Sequence, residues 1–267
     1  MKIFIAAFCL FALSFNAFGQ QTVVPIVEMK VRGLLGGVQN GKFLDAKTTA
    51  EKLKGSENYT LFGIEGVNEG EFTVGKPKRG QDICTDFYHI EPSQEAVSGV
   101  AFGDGFKWNP MPRTPKSIDL NDATYKKVVA DVLRTKGISK TTIKLTQAVR
   151  IDLEGDGQEE VLIAATRYSS GNVSPKAEMG DYSFVMMRKI VGKKVQNTII
   201  VGDFITKKID FGAPSEYSIS AIADLNGDGR MELVLYGAYY EGNSSGVYEI
   251  KGNKAVEVAT LQIGCGV

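Results

Sequence analysis

The chain has 267 residues, 43% of them apolar, with 31 Lys and Arg against 31 Asp and Glu, enough for one large domain or two small ones. Zero net charge, without a basic or acidic run, removes the electrostatic argument for nucleic acid or an anionic membrane surface. The single histidine, His89, excludes multi-histidine zinc sites and leaves Ser-His-Asp chemistry to that one residue.

In chain order, the opening MKIFIAAFCLFALSFNAFGQ carries one charge at Lys2, an apolar run from Ile3 to Phe15 and a small-residue end. This pattern predicts a signal peptide over residues 1–19, cut after Gly19, because the run is shorter than the roughly 20 residues of a membrane span. The expected protein is therefore secreted or periplasmic, with no transmembrane segment after cleavage. Cys9 leaves with the leader. Losing Lys2 alone leaves 30 basic against 31 acidic side chains. Two cysteines remain, Cys84 and Cys265, and in an oxidising compartment the expectation is a disulfide between them. Closing so long a loop contributes about 5 kcal/mol at most on the chain-entropy model. The alternative is two buried free thiols.

Residues 20–120 read as a β-rich region of short apolar stretches between glycines, with Asn40-Gly41 as a hairpin turn. A short helix over Asp45–Lys54, capped by Asp45, interrupts it. Over 121–137 the period changes. Tyr125, Val128, Val129, Val132 and Leu133 fall on one helical face, with Asn121 as the expected cap and Gly137 as the stop, and the helix connects two β regions.

From 138 to 267 the chain repeats itself. Eight strands are expected, at about 143–152, 160–169, 181–191 and 194–201, then 216–224, 231–241, 245–251 and 254–263. They form two four-stranded antiparallel meanders resembling propeller blades. The copies are offset by 72 residues at their acidic turns and by 60 at their last hairpins (Gly192 with Gly252), so the first copy carries an insertion of about twelve residues, assigned to the loop SSGNVSPKAEMGD. The fold class is mainly β with one or two short helices.

The repeated core is IDLEGDGQEEVLI at 151–163 and ADLNGDGRMELVL at 223–235. Positions 1, 3, 5 and 9 hold Asp152, Glu154, Asp156 and Glu160 in the first copy, and Asp224, Asn226, Asp228 and Glu232 in the second. Alternate oxygen donors on a tight turn converge on one point, and oxygen-only donors suit a hard cation, Ca2+ above Mg2+. An EF-hand is excluded because position 12 is Ile163 or Leu235 and both flanks read as strands. The turns resemble the Asp-rich calcium turns of FG-GAP and VCBS-type repeats of secreted β-propeller proteins, over roughly residues 145–267. That resemblance implies these eight side chains as calcium ligands, with the backbone carbonyls of Gln158 and Arg230. A propeller needs more than two blades, and the chain departs from the family there. The plainer alternative is that Asp-Gly makes good hairpin corners with solvated carboxylates.

Three further groups are open to a functional or a packing role. His89 is a candidate base beside Asp86 or Glu91, Trp108 with Arg113 a candidate sugar or carboxylate binder, and Tyr236 and Tyr240, on one strand face with Tyr239 opposite, a candidate stacking platform for carbohydrate. For each, packing is the commoner role. Asn58, Asn172 and Asn243 open N-x-Ser/Thr sequons. No phosphate loop, GxSxG, HExxH or dinucleotide motif occurs. The expected function is a calcium-binding, non-catalytic binding or structural module with an extracellular or envelope partner. The alternative is a hydrolase of cell-surface carbohydrate whose acid and base lie outside the turns.

Overall fold

The computed structural model describes residues 22–64, 68–93 and 98–266. The expected leader, residues 1–19, lies outside them. The N-terminal part builds β1 (Val24–Glu28), β2 (Gly33–Gln39), β3 (Lys42–Leu44), α1 (Ala46–Ala50), β4 (Asn58–Phe62), β5 (Asn68–Thr73), β6 (Lys78–Arg79), β7 (Tyr88–His89) and β8 (Val100–Gly103). They form one sheet in the order β5-β4-β8-β1-β2-β7-β6, with β3 also paired to β2. Asn40 and Gly41 make the expected two-residue turn between β2 and β3, both at positive φ. Asp45 caps α1 by accepting the Thr48 amide at 2.6 Å.

The connecting helix is α2 (Ala123–Thr135). Its cap is Asp122, not the expected Asn121. The Asp122 carboxylate accepts from the amides of Thr124 at 2.7 Å and Tyr125 at 3.2 Å, which only the residue next to the first turn reaches. Val128, Val129, Val132 and Leu133 form its buried face, as the periodicity requires.

The eight expected strands are present as β10 (Leu145–Ile151), β11 (Glu160–Arg167), β12 (Tyr182–Val191), β13 (Lys194–Phe204), β14 (Glu216–Ala223), β15 (Glu232–Tyr239), β16 (Gly242–Lys251) and β17 (Lys254–Gly266). Each set of four is an antiparallel meander. The first gains a fifth strand, β9 (Lys116–Ser117), from before the helix. The insertion lies where expected. Fourteen residues (168–181) join β11 to β12, whereas Tyr240 and Glu241 alone join β15 to β16.

The apolar sequence EVLIAA of β11 does not alternate because both its faces are covered. Val161, Ile163 and Ala165 pack with α2, while Leu162 and Ala164 face a core shared with the other two sheets. That shared core includes Ile26, Leu35 and Phe102 from the first sheet and Ile222, Leu233 and Val247 from the third, so the β-rich N-terminal part and the repeats bury one another. Strand β17 lies on β2, where Ile263 and Leu261 fill the space left by the missing side chains of Gly33 and Gly36. Cys84 and Cys265 are at disulfide distance, with Cα atoms 5.2 Å apart across 181 residues of sequence. This joins the last strand to the first sheet.

Candidate functional site

The two acidic turns leave β10 and β14 as those strands end, and they meet. The Met231 amide of the second donates to the Leu153 carbonyl of the first at 2.9 Å. Within each turn the position 1 carboxylate organises the backbone. Asp152 accepts from the amides of Gly155 at 2.7 Å and Gly157 at 2.9 Å. Asp224 accepts from Gly227 at 2.6 Å and Gly229 at 2.8 Å. Gly157 and Gly229 sit at φ +84° and +83°, a left-handed backbone that makes glycine the residue of choice there. Position 5 repeats the device one step on, with Asp156 accepting from Gln158 at 2.9 Å and Asp228 from Arg230 at 2.8 Å. Position 9 folds back on position 2, with Glu160 on the Leu153 amide at 3.0 Å and Glu232 on the Leu225 amide at 2.7 Å.

Both turns are therefore built by their own carboxylates. Among the described residues no three acidic side chains are drawn together closely enough to hold an ion in this arrangement. Position 3 differs between the copies. Asn226 stays inside its loop and accepts from the Asp228 amide at 2.9 Å. The longer Glu154 reaches out to Lys189 of β12 and to the Arg230 guanidinium of the other turn.

Lys189 separates the two sites electrostatically. Its ammonium lies against Glu154 and 3.3 Å from Glu160 Oε1, an oxygen without a hydrogen-bond donor among the described residues. The corresponding position in the second meander is Glu249. Both residues lie three before the hairpin glycine, Gly192 or Gly252, and one step beyond the pairs Val161↔Arg188 and Leu233↔Tyr248. Glu249 pairs outward with Lys251 at 2.6 Å. Glu232 is 2% exposed, and among the described residues no cation pairs with it. Burial first, then the charges of Asp228, Asp224 and Glu249, push its carboxyl up to about 8. Burial also raises Asp224 and Glu160 above the usual carboxylate range. Burial and then the Arg230 guanidinium pull Lys189 below the ordinary lysine range.

The loop KWNPMPR clamps both turns, a role that residue type and spacing did not predict. Trp108 Nε1 donates to the Asp224 carbonyl at 2.8 Å and its ring lies over Gly227. Arg113 donates to the carbonyls of Asp152, of Leu153 at 3.1 Å and of Gly229 at 2.8 Å. Gln158 and Arg230 lie on the exposed rim. A cleft of 520 Å³ opens beside the second turn, lined by Glu154, Asp228, Arg230, Glu232 and Glu249.

The other candidates are not assembled as sites. His89 is exposed beside Phe87, while Glu91 pairs with Lys78 at 2.7 Å and Asp86 with Arg79 at 3.9 Å. Tyr236 lies under Lys30 Nζ, 3.9 Å from its ring centre, while Tyr239, the last residue of β15, meets Tyr240 of the following turn edge to face.

Of the two turns, only the second has a position 9 carboxylate, Glu232, with no cation paired to it among the described residues, and the cleft beside it is lined by Asp228, Glu232 and Glu249 together with the cations Arg230 and Lys251. Compared with family models, curated proteins and solved structures, the chain matches none.

Proposed function

We propose that this is an exported, non-catalytic binding or structural module whose second acidic turn holds calcium as a staple of the fold. The observation that carries the reading is Glu232, a buried carboxylate with which no cation pairs among the described residues, within a turn that also presents Asp224, Asn226 and Asp228. A bound divalent ion relieves the repulsion among these groups and uses oxygen donors already positioned by short loop bonds. The acids at the cleft belong to the turns or, as Glu249, sit against one, which favours a staple over the alternative of a carbohydrate hydrolase.

Extracellular calcium modules often bind at about 10⁻⁴ to 10⁻³ M, so ten times the dissociation constant adds roughly 1.4 kcal/mol per site. Thermal unfolding in excess calcium against chelator is expected to move the midpoint by a few degrees. Trp108, lying on Gly227, supplies a second readout through its emission. Asp228→Ala is expected to abolish both responses, and a full response in that variant would remove the second turn as the site.

A further inference from the structure

The two meanders place residues of opposite charge at one equivalent strand position, Lys189 and Glu249. Lys189 Nζ contacts the carboxylates at loop positions 3 and 9 of the first turn, Glu154 and Glu160, two of the four side chains expected to hold an ion there. Its side chain is only 11% exposed, and those of Glu154 and Glu160 are 15% and 1% exposed, so the three form a nearly closed unit. In the second turn Glu232 has the same backbone bond but faces Glu249 across the hairpin.

We propose that the first turn carries its own cation: the Lys189 ammonium stands where calcium stands in the second turn, so the protein takes one calcium ion, and the residue at this strand position decides which turn takes it. The inference rests on the reading of the second turn as a calcium site. A lysine in this place supplies one positive charge but only hydrogen-bond donors on a tether. A divalent ion supplies two charges and accepts six to eight oxygens. The first turn is thereby a permanently closed corner, and the second is the one that responds to the medium. Arg230 strengthens the assignment, because it adds a second cation to Glu154 and, among the described residues, pairs with no acid of its own turn.

Calorimetric titration of the chelator-treated protein with calcium tests this. The wild type is expected to bind one equivalent and Asp228→Ala none. Lys189→Glu, which copies Glu249, is expected to bind two, and the Lys189→Glu, Asp228→Ala double variant one, at the first turn. Two equivalents in the wild type, or one in a folded Lys189→Glu variant, would overturn the inference while leaving the second turn a calcium site. No binding in the wild type with one equivalent in the double variant would overturn the calcium reading of the second turn and keep the role of Lys189. The reciprocal change, Glu249→Lys, guards against a Lys189 variant that fails to fold. It is expected to lose calcium binding while retaining a cooperative unfolding transition, and undiminished binding in it would count against the inference.

Discussion

At loop position 9 both turns carry a glutamate bonded to the amide at position 2, yet Glu160 faces Lys189 and Glu232 faces Glu249. The backbone is thus set by the Asp and Glu side chains of the turn itself, whatever neutralises them. Charge compensation is set elsewhere, by the third strand of each meander. A local motif therefore specifies the shape of such a turn without specifying whether the turn needs an ion. The difference teaches where to look: across the hairpin, not along the loop.

The sharpest way to break the comparison is to remove the internal cation. Lys189→Ala leaves Glu154 with Arg230 and strands Glu160 in the interior, and it is expected to cost about 4 kcal/mol in denaturant unfolding. Glu249→Ala at the equivalent position removes a partly exposed carboxylate that pairs outward, and it is expected to change stability by less than about 1 kcal/mol. Equal effects would mean that the two strand positions do not play different roles.

The second test uses pH in the calcium-free protein. Because the folded Glu232 carboxyl lies near 8, above its ordinary 4.5, its contribution to stability is complete below about 4.5 and is lost as pH rises through 8. By pH 7 that loss amounts to about 3 kcal/mol at one pKa unit per 1.4 kcal/mol. Glu232→Gln keeps an acceptor for the Leu225 amide and removes the charge, so its unfolding free energy is expected to be flatter between these limits and higher than wild type at pH 8. An unchanged slope would show that the carboxylate is already neutralised.

A third test strikes what the turns share. Arg113 holds carbonyls of both, so Arg113→Ala is expected to cost about 2 kcal/mol and to weaken the calcium response without shifting the pH dependence of Glu232. Loss of calcium response alone, with no change in stability, would mean that the clamp belongs to the second turn only.

These residues also mark what the sequence could reveal. The eight strands follow from apolar runs punctuated by Asp-Gly turns, and the insertion before β12 follows from the two different offsets. The helix face from Tyr125 to Leu133 is a local period, and with Cys9 assigned to the expected leader a single pairing is left for Cys84 and Cys265. Lys189 is different. It lies 29 residues after Glu160, and only hairpin register brings them together, although aligning Gly192 with Gly252 sets Lys189 against Glu249 in the sequence itself. Arg113 has no such signal, because it bonds to backbone carbonyls, which every residue carries. The two-residue strand β9 is too short for any alternation to show. Asn121 and Asp122 are adjacent capping residues of equal merit, and the fold chooses between them.

The smallest expected effect concerns position 3. Replacing Glu154 by Asn copies the second turn into the first, where Asn226 bonds to the Asp228 amide at 2.9 Å. The change removes ion pairs to Lys189 and Arg230 and adds a local bond to the Asp156 amide, an atom that now bonds to Asp152 at 3.2 Å. These contributions oppose each other, and the Arg230 pair is half exposed, so the net change is expected to stay within about 1 kcal/mol. A double-mutant cycle with Arg230→Ala isolates the bridge between the turns, at about 0.5 kcal/mol. A coupling several times larger would mean that the turns act as one electrostatic unit, so that an ion in the second is felt by Glu154 in the first. A coupling near zero would leave the Arg113 clamp and the Met231 amide as what joins them.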